Sequence, residues 1–400
     1  MDLLIWPAWP LQFGELFRVA VALLATALAG EAVWRLGIPR ITGYALTGLI
    51  LGPLTLGWFD GNDLASYRSV LDLTLALLLF ELGIRLDLRW FAANPWVVAT
   101  SLAEIALTFV LSFGALWAMG AGTGLALAVA AIAVGTSPVI VMHVTAEMRA
   151  AGQMTDRLFA LCALNAACSV ILLKLLVGGL HGMHEGWQLG VLHPLYLLLG
   201  SALAGAAIAG AFVTLRRFID PATEQGLTAT VALLLAALTI LTALRLPVTL
   251  APLFAGALIK WYDRRPHLWP QQFGSVGGVL VIVTFMLAGA AVTAGQILAG
   301  AGLALVAILA RGVGKLGGTM AFGPASGLDL RKSLTLGAAL MPLSVLALLM
   351  AEDVRVLYPA FGEKLMPVVL AMTVVLSVLG PIATRVALVR ARECRNGDAT

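Results

Sequence analysis

Gly135-Thr136-Ser137-Pro138 lies in the middle of one apolar run long enough to cross a bilayer, and Ala339-Leu340-Met341-Pro342-Leu343-Ser344 lies in the middle of another. Proline removes an amide donor and collides with the preceding turn, while glycine and small hydroxyl residues permit local unwinding. Pro138 and Pro342 therefore predict helix breaks inside both spans. Either stretch alone also reads as a simple proline kink. In chain order the two runs are the fifth and twelfth spans, seven apart and so opposite in direction. That is the placement expected of an inverted repeat whose broken helices cross at the midplane and present half-helix ends of both signs to a small ionic substrate.

The rest of the chain is built to match. Of 400 residues only 12% are charged and 60% are hydrophobic, with a mean hydropathy of +0.98. A water-soluble surface cannot be made from so little charge, so a soluble enzyme is excluded and an all-α polytopic membrane protein is expected. Apolar runs place thirteen spans near 13–34, 41–59, 64–84, 95–119, 122–146, 154–180, 194–215, 225–244, 247–261, 273–292, 295–320, 331–351 and 363–385. The single membrane domain, 1–400, divides into a first six-helix repeat (13–180), a linking helix (194–215) and a second repeat (225–385). No cleaved leader and no soluble regulatory domain are expected.

Basic residues alternate between breaks. One set holds Arg68, Arg245, Arg355 and Lys364; the other holds seventeen, among them Arg35, Arg40, Arg85, Arg149, Arg216, Arg331 and Arg390. Because Lys and Arg near span ends stay cytoplasmic, this predicts an outside N-terminus and a cytoplasmic C-terminus in an inner (plasma) membrane. The net charge of +4 is scattered rather than clustered, so nucleic acid is not an expected partner. Three cysteines, Cys162, Cys168 and Cys394, supply neither a disulfide framework nor a metal motif, and no metal or other cofactor is expected. Neither a paired-aspartate site nor His-Glu-x-x-His supports an intramembrane hydrolase, so the chain is not read as an enzyme.

Ile38-Pro39-Arg40-Ile41-Thr42-Gly43-Tyr44-Ala45-Leu46-Thr47-Gly48-Leu49-Ile50-Leu51-Gly52-Pro53 resembles the second-span signature of the monovalent cation:proton antiporter-2 family, the bacterial sodium/proton and potassium/proton exchangers. Thr136-Ser137-Pro138 resembles that family's first broken helix, Leu309 to Lys315 its basic eleventh span, Leu336 to Leu343 its second broken helix, and Leu379-Gly380-Pro381 its closing helix. The resemblance implies a homodimer in a lipid bilayer. A core of spans five, six, twelve and thirteen would move against a panel of spans one to three and eight to ten, with a monovalent cation and a proton as partners.

The family's sixth span carries an acid that holds either a proton or a cation. The matching pair here is Asn165-Ala166, and no Asp or Glu lies between Arg157 and Lys174. Asn165 stands about 16 Å along the helix from Met154, near mid-bilayer, and its carbonyl can coordinate a cation but cannot carry a proton. It reads equally well as a hydrogen-bond partner of the broken backbone. Two other buried acids remain as proton carriers. Glu81 resembles an ion-site element of a related exchanger branch, or else pairs with Arg85 one turn on. Glu104 sits deeper, and Arg311 in mid-span eleven is its expected partner. Lys174 and Lys315 are expected to reach the two interfaces, and His143 reads as a cytoplasmic pH sensor or a packed side chain. The expected ion ligands are Thr136, Ser137, Asn165 and Ser344, with Glu81 or Glu104 as proton carrier and Arg311 as counter-charge. The reading that follows is a Na+ or K+ antiporter. Its alternative is a transport-inactive scaffold or sensor that has lost the coupling acid.

Overall fold

A computed structural model of the chain describes residues 15–59, 67–185, 187–221, 223–263, 273–343 and 345–394. Every regular element among them is a helix. In chain order these are α1 (Glu15–Arg35), α2 (Arg40–Leu51), α3 (Arg68–Arg85), α4 (Leu88–Ala93), α5 (Pro95–Ala118), α6 (Thr123–Val134), α7 (Pro138–Glu147), α8 (Gln153–Glu185), α9 (Trp187–Leu215), α10 (Glu224–Ala243), α11 (Leu250–Tyr262), α12 (Phe273–Ala290), α13 (Ala294–Phe322), α14 (Leu330–Ala339), α15 (Val345–Leu357) and α16 (Pro359–Ala391). Among the described residues, eight spans, counting the interrupted α6–α7 as one, are long and apolar enough to cross a membrane.

The fifth apolar run is divided at 135–137, where Ser137 caps α7 by accepting a hydrogen bond from the Ile140 amide and Pro138 takes the first helical position. A proline there loses no bond, because the first-turn amides have no intrahelical partner. The twelfth run is divided between α14 and α15, with Pro342 in the gap; Ser344 lies outside the described residues. The second run differs from the 41–59 expectation. Helix α2 stops at Leu51, and Gly52-Pro53 leads into a turn that passes through Gly57 at φ 62.

The helices pack in two groups. In one, α2 lies against α1 and α12, α3 against α11, and α11 against α9. In the other, α13 lies against α5 and α16, and α15 against α16, with α6, α7, α8 and α14 completing the packing around the breaks. The start of α8 is anchored by Glu393, just beyond α16, whose carboxylate accepts from the Met154 and Thr155 amides at 2.8 Å each and from the Thr155 hydroxyl. A carboxylate at a helix N-terminus satisfies first-turn amides and complements the helix dipole.

Candidate functional site

The two helix breaks touch. The Ser137 amide donates to the Pro342 carbonyl at 2.9 Å, and the Thr136 hydroxyl donates to the Leu340 carbonyl at 3.0 Å. Thr384 on α16 adds a bond to the Ala339 carbonyl. Backbone released from one half-helix is thus satisfied partly by the other, as burial away from water requires. Asn165 reaches the same crossing from α8: its Nδ2 donates to Thr136 Oγ1 at 3.1 Å, whereas its fully buried Oδ1 has no hydrogen-bond partner among the described residues. Thr136, Ser137 and Asn165 are therefore brought together, with one acceptor oxygen uncommitted.

Arg311, fully buried on α13, does not pair with Glu104. One of its nitrogens donates to the Ala133 carbonyl at the end of α6, and another to the carbonyls of Leu340, Met341 and Pro342 past the end of α14. The C-terminal carbonyls of a helix lack intrahelical donors and carry the negative end of its dipole. Two such ends replace the carboxylate that sequence reasoning assigned to Arg311.

Glu104 pairs instead with Lys315, one turn further along α13. Lys315 Nζ lies 2.6 Å from Glu104 Oε1 and donates to the Val134 carbonyl at 3.1 Å; both side chains are completely buried. The expectation that Lys315 reaches the cytoplasmic interface is overturned. Thr108 also donates to Glu104 Oε1, at 3.2 Å, while Oε2 has no partner among the described residues. The pair forms because α5 and α13 meet backbone to backbone. A Cβ at Gly314 would overlap Thr108, and one at Gly318 would overlap Glu104. Small residues spaced four apart permit this approach, so Gly314-Lys315-Leu316-Gly317-Gly318 was the signal available in the sequence.

Glu81 lies away from the crossing and binds Arg85 at 2.7 Å on its own helix. Lys174 reaches Asp353 at 3.2 Å. His143 is packed edge-on against Tyr44, with ring centroids 6.0 Å apart. Near it Arg40 bridges Glu31 and Glu147 at 3.0 and 2.9 Å.

The family profile described as "Sodium/hydrogen exchanger, transmembrane" matches residues 19–390. The chain belongs to this family. Among curated relatives, the exchanger chain is 32% identical over 148 residues to the Na(+)/H(+)-K(+) antiporter GerN of Bacillus cereus, 37% of each chain. It is 30% identical over 125 residues to the iron transporter MagA of Paramagnetospirillum magneticum, covering 30% of this chain and 28% of that one. The aligned stretches thus span about a third of those relatives' own length. A structure of the sodium proton antiporter MjNhaP1 from Methanocaldococcus jannaschii shares the fold, with a TM-score of 0.70 over 95% of this chain and 96% of that one at 16% identity.

Proposed function

We propose that this exchanger-family chain moves a monovalent cation, Na+ or K+, against protons by alternating access across the inner membrane. The observation that carries the reading is the fully buried Glu104–Lys315 pair beside the crossing of the two breaks. A buried ionisable pair inside a membrane domain is costly, and function is the usual reason for its retention. It supplies titratable groups where Asn165-Ala166 does not, which favours exchange over the inactive scaffold.

In this mechanism a cation docks on the uncommitted Glu104 Oε2, helped by the Asn165 carbonyl and the Thr136 and Ser137 oxygens. Its charge displaces the Lys315 ammonium, which releases its Nζ proton to water on the side from which the cation came. When the cation leaves on the opposite side, Lys315 takes a proton from water there and re-forms its bond to Glu104. One positive charge replaces another at each step, so the site never holds an uncompensated carboxylate. Arg311 stays bound to the half-helix carbonyls and sets the geometry.

The same proposal takes thirteen crossings, with halves 13–180 and 225–385 related by an inverted repeat, a cytoplasmic C-terminus and a homodimer. Support comes from one interrupted helix in each half and from the contact between the interruptions. In proteoliposomes with an imposed Na+ or K+ gradient the protein should move protons, and Glu104→Gln or Lys315→Met should stop that movement. Undiminished exchange in both variants refutes the assignment.

A further inference from the structure

Two cavities lie in series between the crossing and one face of the protein. The deeper is lined by Gly135, Thr136, Ser137, Ser169, Leu346 and Met350 among others. The second, at the face, is lined by Arg68, Asp72, Lys174, Thr249 and Asp353, and again by Leu346 and Met350. The shared residues are the partition, and the Met350 sulfur lies 3.8 Å from Ser169 Oγ within it.

Charged side chains from both helix groups meet over the mouth. Asp353 on α15 accepts from Arg68 on α3 through Oδ1 and from Lys174 on α8, at 3.2 Å, through Oδ2. Arg68 also lies 3.6 Å from Asp72, one turn along its own helix. Helix α3 belongs with α11 and α12, whereas α15 packs on α16, and α8 packs both on α6 and α7 at the crossing and on α9. The Arg68–Asp353 bond therefore joins the two groups. The opposite face opens into a wider vestibule of about 380 Å3, lined by Arg85, Asp87, Trp90, Asp156, Phe159 and Lys260.

We propose that Arg68 and Asp353, backed by Asp72 and Lys174, form a charge latch that holds shut the route from this face to the crossing, with Met350 as the plug beneath it. The composition of the cluster suits a bond that must break repeatedly. When α15 and α8 move away from α3, Asp353 keeps Lys174 and Arg68 keeps Asp72, so neither half is left with an isolated charge. An isolated charge in a partly buried site would make opening prohibitive; two balanced half-clusters make it cheap. The latch rests on the exchange reading for its purpose but not for its test, which needs no ion gradient.

The test is the labelling rate of Ser169→Cys by a membrane-impermeant thiol reagent added at the Arg68 face, in protein carrying Cys162→Ala, Cys168→Ala and Cys394→Ala. Arg68→Gln and Asp353→Asn should each label about fivefold faster than the latched protein, since a partly exposed ion pair biases a two-state equilibrium by up to roughly that factor. Asp72→Asn, which keeps the Arg68–Asp353 bond and removes the carboxylate that Arg68 falls back on, should label no faster than the latched protein. Rates within about twofold of the latched protein in both single variants overturn the latch. If the single variants do not yield folded protein, the double neutral variant, Arg68→Gln with Asp353→Asn, decides: labelling severalfold faster than the latched protein supports the latch, and labelling within about twofold of it overturns it.

Discussion

Lys315 Nζ and Glu104 Oε1 stand 2.6 Å apart with no solvent on either side chain, and Arg311 lies one helical turn before Lys315 with its guanidinium directed at backbone oxygens. The two basic residues of α13 therefore do different jobs. One neutralises a carboxylate, and the other neutralises the ends of two half-helices.

Removing one member of the buried pair should cost more than removing both. Glu104→Gln leaves Lys315 with an uncompensated charge and should lower stability by about 3–5 kcal/mol. Glu104→Leu with Lys315→Met should recover most of that loss while exchange stays absent. Thermal unfolding in detergent, run beside proteoliposome flux, separates the two effects.

Arg311→Lys keeps the charge but not the planar fork. A single ammonium cannot reach the Ala133 carbonyl and the three carbonyls from Leu340 to Pro342 as the guanidinium does. The variant should lose about 2–3 kcal/mol, and Arg311→Met more, as read by unfolding temperature.

The close seam between α5 and α13 makes Gly318→Ala a sensitive probe. The added methyl overlaps Glu104 and should cost about 1–3 kcal/mol while pulling the carboxylate off Lys315. Gly302→Ala on the same helix meets nothing within 4 Å and should be silent in both stability and flux.

The elements and the two breaks were legible because proline, glycine and long apolar runs act locally: Pro138 and Pro342 mark the interruptions without any knowledge of neighbours. Partners were not. Arg311 and Lys315 are four residues apart on one helix, so hydropathy cannot say which meets Glu104; the answer depends on how Gly314 and Gly318 set the rotation and approach of α13. The four carbonyls that hold Arg311 have no side-chain signature at all. The run after Leu51 was over-extended because Leu54 and Leu56 continue the apolar pattern after the backbone has turned at Gly52-Pro53.

Asn165→Ala removes both the bond to Thr136 and the uncommitted carbonyl oxygen. Stability should fall by only about 1 kcal/mol, whereas the cation concentration for half-maximal exchange should rise severalfold. Flux titrated against external cation checks this, and an unchanged half-saturation would take Asn165 out of the ion's path.

The grip of Arg311 also restricts how the molecule can rearrange. A guanidinium bonded at once to the tail of α6 and to the tail of α14 rivets the two interrupted segments together. Prising them apart would strand a bare cation in hydrocarbon. The alternating-access movement proposed above must therefore carry the knot as one cargo past its surroundings, with the hinges elsewhere in the chain.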